Sequence, residues 1–211
     1  MSGWLSSLRN TGVHALVLGG FSMAAAALLA GTNLLTADEI RQREAEDLQA
    51  SLGQVIPASL HDQSLLANML SIRDGAGTDV NVYRAVKEGA VSAVAFEVAE
   101  RGYAGEIRLI LGIGRDGRIL GVRTVRHNET PGLGDKIEAA KNDWITRFNG
   151  LSLDDPPEDQ WKVKKDGGRF DQFSGATITP RAVVAAIRKG LLFFGAHQER
   201  MLAPMPTETR P

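Results

Sequence analysis

The 211-residue sequence contains no cysteine. This absence excludes thiol catalysis, disulfide scaffolds, iron–sulfur ligation by this chain and thiolate zinc sites. The sequence also lacks an excess of charge of either sign, because 24 Lys and Arg residues nearly balance 25 Asp and Glu residues. The basic surface of a nucleic-acid-binding protein is therefore not predicted. Any redox chemistry of this chain has to use a bound organic cofactor.

Histidines are few and widely separated, at His14, His61, His127 and His197. Metal ligands normally come clustered, so this distribution predicts no metal site. The sequence also shows no glycine-rich dinucleotide fingerprint, and an NAD site is not predicted.

Charged residues are missing from residues 11–37, which read TGVHALVLGGFSMAAAALLAGTNLLTA. A helix of roughly 20 apolar residues crosses a bilayer core, so this segment predicts a transmembrane anchor. The alternative is a cleaved signal peptide, but the apolar part of a signal peptide is only about 7–15 residues long. Arg9 precedes the segment, whereas Arg41 and Arg43 follow it, and charge alone does not decide its orientation.

The residues after the anchor divide into a connector, a folded domain and a tail. Residues 38–79 form the connector, which contains an amphipathic helix from Asp38 to Leu52 and ends in the turn-rich segment DGAGTD. Residues 80–203 form the domain, and residues 204–211 are predicted to be disordered.

The first half of the domain carries strand patterns. Residues 80–100 favour strands, with Val94, Phe96 and Val98 on one side of the pleat, and a hairpin follows in which Asp116-Gly117 supplies the turn. Gly112, Gly114 and Gly121 interrupt the hairpin arms, which indicates a bulge or a close approach to the backbone.

The second half predicts a helix over 135–149, a strand over 161–165 and a helix from Pro180 to about Glu199, capped by Thr179. The predicted fold class is α+β, with an antiparallel twisted sheet packed with helices and preceded by one N-terminal transmembrane helix.

The segment before the last helix, residues 171–177, reads Asp-Gln-Phe-Ser-Gly-Ala-Thr. Its small residues let consecutive backbone amides converge, and the following helix N-terminus adds partial positive charge, so the turn suits a phosphate group. Ordinary capped turns look similar, and the residues alone leave both interpretations open.

This segment resembles the D-x-x-S-G-A-T flavinylation motif of a family of FMN-binding domains. The family includes the G subunit of the Rnf electron transport complex (RnfG) and the C subunit of the sodium-pumping NADH:quinone reductase. The resemblance implies that Thr177 is joined through its hydroxyl to the phosphate of FMN by a separate flavin transferase that uses FAD as donor. The other motif positions, with one residue just after them, are Asp171, Ser174, Gly175, Ala176 and Thr179.

A second segment, HNETPGLGDKIE at residues 127–138, is similar to the H-x-E-T-P-G-L-G-D-K stretch of RnfG. By itself it is also a Pro-Gly turn. The resemblance implies that the backbone around five residues lies against the flavin or its linker: Glu129, Thr130, Gly132, Leu133 and Gly134. Asp171 is a candidate magnesium ligand during phosphoryl transfer by the transferase, and a turn carboxylate is an equal alternative.

The resemblance implies a single-pass protein of the cell inner membrane, with residues 1–10 in the cytoplasm and the domain in the periplasm. It would relay electrons among the other Rnf subunits of an ion-translocating oxidoreductase complex, without independent catalysis. Two alternatives stay open: a tethered binding or assembly module without flavin, and the C subunit of the quinone reductase. The length and the ETPGLGDK wording favour RnfG.

Overall fold

The computed structural model describes residues 2–75 and 77–204, and the chain divides into two compact units between Asp47 and Leu48. Residues 205–211 of the predicted tail lie outside the described residues. Helix α1 (Ser2–Val55) contains the segment His14–Ala37, which has a mean hydropathy of 1.8 and no buried part. Within the described ranges it is the one helix long and apolar enough to span a membrane. Its helical conformation is as predicted, and its insertion into a membrane stays a prediction.

The second unit is built on five antiparallel strands that pair in chain order, so that each strand neighbours the next. The first strand was not predicted, because it is a short edge strand with Ile72 as its one buried residue. The predicted α+β class with an antiparallel sheet is confirmed. The strands are β1 (Met69–Arg73), β2 (Asp79–Lys87), β3 (Ala90–Arg101), β4 (Glu106–Gly114) and β5 (Ile119–Arg126).

The hairpin between β4 and β5 has the predicted turn. Gly117 has a φ of +81°, and the Asp116 carboxylate accepts a hydrogen bond from the Arg118 N–H at 3.1 Å. A positive φ is costly for residues with a side chain, so Gly117 fixes both the position of the turn and the register of the arms.

One face of the sheet is covered by helix α2 (Ile178–Met201), close to the predicted limits. The core between them contains Phe96, Leu111 and Ile187, each 0% exposed. The other face is covered by the end of α1. A Cβ atom on Gly112 would lie 3.0 Å from the Val55 carbonyl carbon, so the predicted close approach to the hairpin glycines is confirmed.

The predicted helix over 135–149 is wrong. Two short 3₁₀ helices, Asp135–Ile137 and Asp143–Phe148, occupy this stretch. Asn142 between them has an extended backbone, and its side chain accepts a hydrogen bond from the Trp144 N–H at 2.9 Å. The apolar spacing of the stretch therefore comes from two separate turns that Asn142 divides.

The predicted strand over 161–165 is also wrong. Val163 makes a single bridge to Phe170, and a 3₁₀ helix Lys164–Asp166 follows at once. The chain turns back at Gly167, whose φ is +82°, and Gly168 packs directly on the Lys162 backbone. Because the chain reverses so tightly here, the segments on either side pair only at the Val163–Phe170 bridge.

Candidate functional site

The S-G-A-T segment forms a tight turn in front of α2. The Ala176 N–H donates to the Phe173 carbonyl at 3.1 Å, and Gly175 has a φ of +82°. Phe173 is buried, with its ring centroid 5.1 Å from that of Trp144. The aromatic contact anchors the start of the turn, while Ser174 and Gly175 are exposed at its tip.

Thr177 follows this turn as the N-cap residue of α2. It is partly exposed, and its side chain makes no capping hydrogen bond. The prediction that Thr179 caps the helix is wrong, because α2 begins at Ile178 and Thr179 lies inside its first turn. The Thr179 hydroxyl donates instead to the Glu129 carboxylate, 50 residues earlier in the chain.

Glu129 joins three segments of the chain. One carboxylate oxygen accepts from Thr179 in α2, and the other accepts from the Ala104 N–H in the β3–β4 loop at 3.0 Å. Glu129 is 4% exposed and Thr179 is 1% exposed. A buried carboxylate needs hydrogen-bond partners to offset the loss of water, and both of its oxygens have them here.

Two glycines leave the room that this carboxylate needs. A Cβ atom on Gly134 would lie 2.8 Å from the Glu129 Cβ and 2.9 Å from the Thr179 Oγ1. A Cβ atom on Gly102 would lie 2.6 Å from the Glu129 Oε1. Such distances are shorter than side-chain packing tolerates, so a side chain at either position would force Glu129 or its neighbours to move.

Residues 130–134 form a second turn, of which residues 130–133 are exposed. The Thr130 carbonyl accepts from the Leu133 N–H at 3.1 Å and from the Gly134 N–H at 3.0 Å, and Gly132 has a φ of +78°. Leu133 is 43% exposed, and a Cβ atom on Gly175 would lie 3.7 Å from its side chain. The two motif turns therefore lie side by side.

A polar chain, meaning the hydrogen-bonded side chains of His127, Glu138, Lys141 and Asp135, lies next to the second turn. The Glu129 N–H donates to His127 Nδ1 at 3.0 Å, and His127 Nε2 pairs with Glu138 at 2.8 Å. Hydrogen bonds from Lys141 and then His127 lower the pKa of Glu138. The backbone N–H of Gly132, followed by Lys141, lowers the pKa of the Asp135 carboxyl.

Asp171 lies at the start of the S-G-A-T segment. Its carboxylate pairs with Lys164 at 2.6 Å and with Arg147 at 3.4 Å, and the hydrogen bond from Lys164 lowers its pKa. Its carbonyl accepts from the Trp144 indole N–H at 3.0 Å. Asp171 therefore has cationic partners, and across the described ranges no three His, Asp or Glu residues lie together as metal ligands do.

The structure thus unites most of the residues selected from the sequence, on two adjacent turns and a buried layer beneath them. Sequence reasoning missed Ala104, whose N–H is a backbone group without a side-chain signal. Gly102 was the available clue, since a glycine next to a loop marks a close approach. It also missed the pairing of Lys164 and Arg147 with Asp171, because these contacts join distant segments.

The residues fit an FMN phosphoester. The Thr177 hydroxyl is not used as a cap, and the N-terminus of the 24-residue helix α2 offers backbone N–H groups and partial positive charge to a phosphate. Leu133, beside Gly175, and Ile178, next to Thr177 in the chain, are 43% and 45% exposed and offer apolar surface to a flat ring system.

Comparisons with known proteins support an FMN-binding domain. Residues 1–55 match the model of the RnfG N-terminal region, and residues 102–192 match that of the FMN-binding domain. The G subunit of the ion-translocating oxidoreductase complex of Cereibacter sphaeroides is 52% identical over 194 residues, which is 92% of this chain and 89% of that protein. The corresponding protein of Vibrio vulnificus is 46% identical over 94% of each chain.

A crystal structure of the C subunit of the Na⁺-translocating NADH-quinone reductase from Parabacteroides distasonis is similar to this chain with a TM-score of 0.50. The match covers 78% of this chain and 96% of that one at 18% identity, so it supports the fold alone.

Proposed function

This chain belongs to the RnfG family, the G subunits of ion-translocating oxidoreductase complexes, and we propose that it is a membrane-anchored electron carrier that holds FMN covalently through Thr177. The match of residues 1–55 to the RnfG N-terminal region favours RnfG over the C subunit of the quinone reductase. The observation that carries the proposal is the Thr177 side chain, which is partly exposed at the start of α2 and free of a capping hydrogen bond.

The attachment is a phosphoryl transfer. The Thr177 Oγ1 forms a bond to the phosphorus of the FMN half of FAD, the pyrophosphate bond of FAD breaks, and AMP leaves. The hydroxyl proton passes to a base on the flavin transferase. No redox change accompanies this step, which adds FMN less one water to the chain.

This chain's residues hold the product in place. The first backbone N–H groups of α2 would stabilise the phosphate, and the exposed turn 130–133 and Ile178 would contact the flavin or its linker. When bound, the flavin supplies one- and two-electron transfer. The ester prevents loss of the cofactor outside the cytoplasm.

The family and the apolar segment of α1 support a proposal for the cellular setting. We place residues 1–10 in the cytoplasm, the anchor in the cell inner membrane and the domain in the periplasm, where the other subunits of the complex deliver and remove electrons. Asp171 is proposed as a contact for the flavin transferase during attachment. A magnesium ion at Asp171 would compete with Lys164 for the carboxylate.

The test is to produce the full chain with its flavin transferase and to measure the mass of the peptide that contains Thr177. We expect the wild type to gain FMN less one water and Thr177→Ala to gain nothing. Thr78→Ala, an exposed threonine in the β1–β2 turn, is the control and should be labelled like the wild type. An unlabelled wild-type peptide under these conditions would favour a tethered assembly module without flavin.

A further inference from the structure

We propose that Glu129 and Thr179 form a buried clamp that fixes the orientation of Thr177, and thereby of the attached flavin, while neither side chain contacts the cofactor. The inference rests on the proposed attachment at Thr177. It revises the role that the motif resemblance gives to these two residues, from cofactor contacts to positioning residues.

The geometry of the helix links Thr179 to Thr177. Each residue of an α-helix advances about 100° around the axis, so two residues that are two positions apart point to nearly opposite sides. Thr179 is 1% exposed and faces Glu129, whereas Thr177 is partly exposed. Holding Thr179 inward therefore holds Thr177 outward.

The Glu129 carboxylate is itself held in place. It accepts from Ala104 in one loop and from Thr179 in α2, and its own N–H donates to His127. Rotation of the first turn of α2 would remove the Thr179 hydroxyl from the carboxylate. A buried carboxylate oxygen would then lack a partner, which is strongly unfavourable.

Packing around the clamp also prevents another arrangement. Gly134 and Gly102 lie so close to Glu129 that even a methyl group would collide with it. Glu129 is therefore packed closely on these two sides, which opposes a shift of its carboxylate toward either glycine.

Burial argues against direct contact with the flavin. Glu129 is 4% exposed, and each of its oxygens already accepts a hydrogen bond from the protein. The exposed parts of the two motifs are instead the turn 130–133 and the tip at Ser174 and Gly175. The motif thus has an outer layer that faces the cofactor and an inner layer that orients it.

The experiment compares flavin mobility in full-length, flavin-loaded protein. Thr179→Val keeps the shape of the side chain and removes the hydroxyl, and Thr179→Ser keeps the hydroxyl. Glu129→Gln is a second disruption, because it replaces one acceptor oxygen by an amide nitrogen that cannot accept, so that the Thr179 hydroxyl and the Ala104 N–H can no longer both have an acceptor. Ile72→Ala, a core change in β1, is the control for lost stability alone.

The readouts are labelling stoichiometry by mass, flavin fluorescence anisotropy, quenching by iodide and the visible spectrum, all measured well below the melting temperature of each variant. We expect all four variants to be labelled. Thr179→Val and Glu129→Gln should lose anisotropy and become more accessible to iodide with an unchanged absorption maximum. Thr179→Ser and Ile72→Ala should retain the wild-type anisotropy.

Two results would overturn the clamp: wild-type anisotropy in folded, labelled Thr179→Val and Glu129→Gln, or a shifted absorption maximum with unchanged anisotropy, which would indicate direct contact. If Thr179→Val does not fold, Glu129→Gln against Thr179→Ser decides the same question. An unlabelled wild type would instead contradict the attachment itself, so the two failures are distinguishable.

Discussion

The substitution Gly134→Ala tests whether the segments of the site pack as closely as described. Gly134 has φ −86° and ψ −24°, a helical conformation that alanine adopts without strain. The cost therefore comes from contacts alone. The new Cβ atom would lie 2.8 Å from the Glu129 Cβ, 2.9 Å from the Thr179 Oγ1 and 3.1 Å from the Glu129 Oε2.

The expected loss in the free energy of unfolding is about 1–3 kcal/mol. An extra methyl group in a packed interior costs roughly this much when neighbours are forced to move. Glu129 could instead move away from the new methyl group and lose its hydrogen bond from the Thr179 hydroxyl. A buried acceptor would then lack its partner, which also costs about 1–3 kcal/mol. The two costs are not additive, since moving the carboxylate removes the overlap.

The assay is urea unfolding of the full chain in detergent, followed by the fluorescence of the buried Trp144 and Trp161. Gly53→Ala makes the same chemical change at an exposed position of α1 with no atom within 4 Å, and it should be neutral or slightly stabilising. An unfolding midpoint for Gly134→Ala equal to that of the wild type would refute the close packing of Glu129 against this glycine.

Two further predictions concern the hairpin and the polar chain. Gly112→Ala should destabilise the domain by at least about 1–3 kcal/mol in urea unfolding, because its Cβ would collide with the Val55 backbone, which cannot rotate away; an unchanged midpoint would contradict this contact. Lys141→Met should lose stability at neutral pH and progressively less as the pH falls into the acid range. The folded-state pKa values of Asp135 and Glu138 lie below their unfolded values, so this contribution is present above the unfolded pKa and disappears as pH falls through the folded pKa. If Lys141→Met loses the same free energy of unfolding at neutral and at acid pH, the ion pairs of Lys141 with Asp135 and Glu138 are not the source of the loss.

The parts of the fold that the sequence predicts well are those set by local chemistry. Asp116-Gly117 fixes the hairpin because few residues other than glycine adopt a positive φ. The interrupted glycine pattern in the same hairpin correctly predicts a close approach at Gly112. Helix α2 follows from an apolar stripe that is long enough to be unambiguous.

The errors arise where a side chain bonds to a backbone group or to a distant partner. Asn142 caps Trp144 and divides a stretch whose apolar spacing imitates one helix. The hydroxyl of Thr179 has the right type and nearly the right place for a helix cap, yet it bonds to Glu129. The spacing of apolar residues predicts neither hydrogen bond. Each depends on which of several possible partners lies within reach once the chain has folded.

The proposed covalent attachment would change what the rest of the site has to provide. A cofactor that is tied by an ester needs no enclosing pocket for affinity, and the motif residues that face outward, such as Thr130 and Ser174, are accordingly exposed. Orientation is then the remaining requirement, since a tethered ring that rotates freely presents no fixed face to an electron donor or acceptor. A buried polar pair is poorly suited to adding stability, but it restricts the chain to one arrangement where apolar packing would accept several. The 4% exposure of Glu129 beneath an exposed turn is consistent with that division of roles.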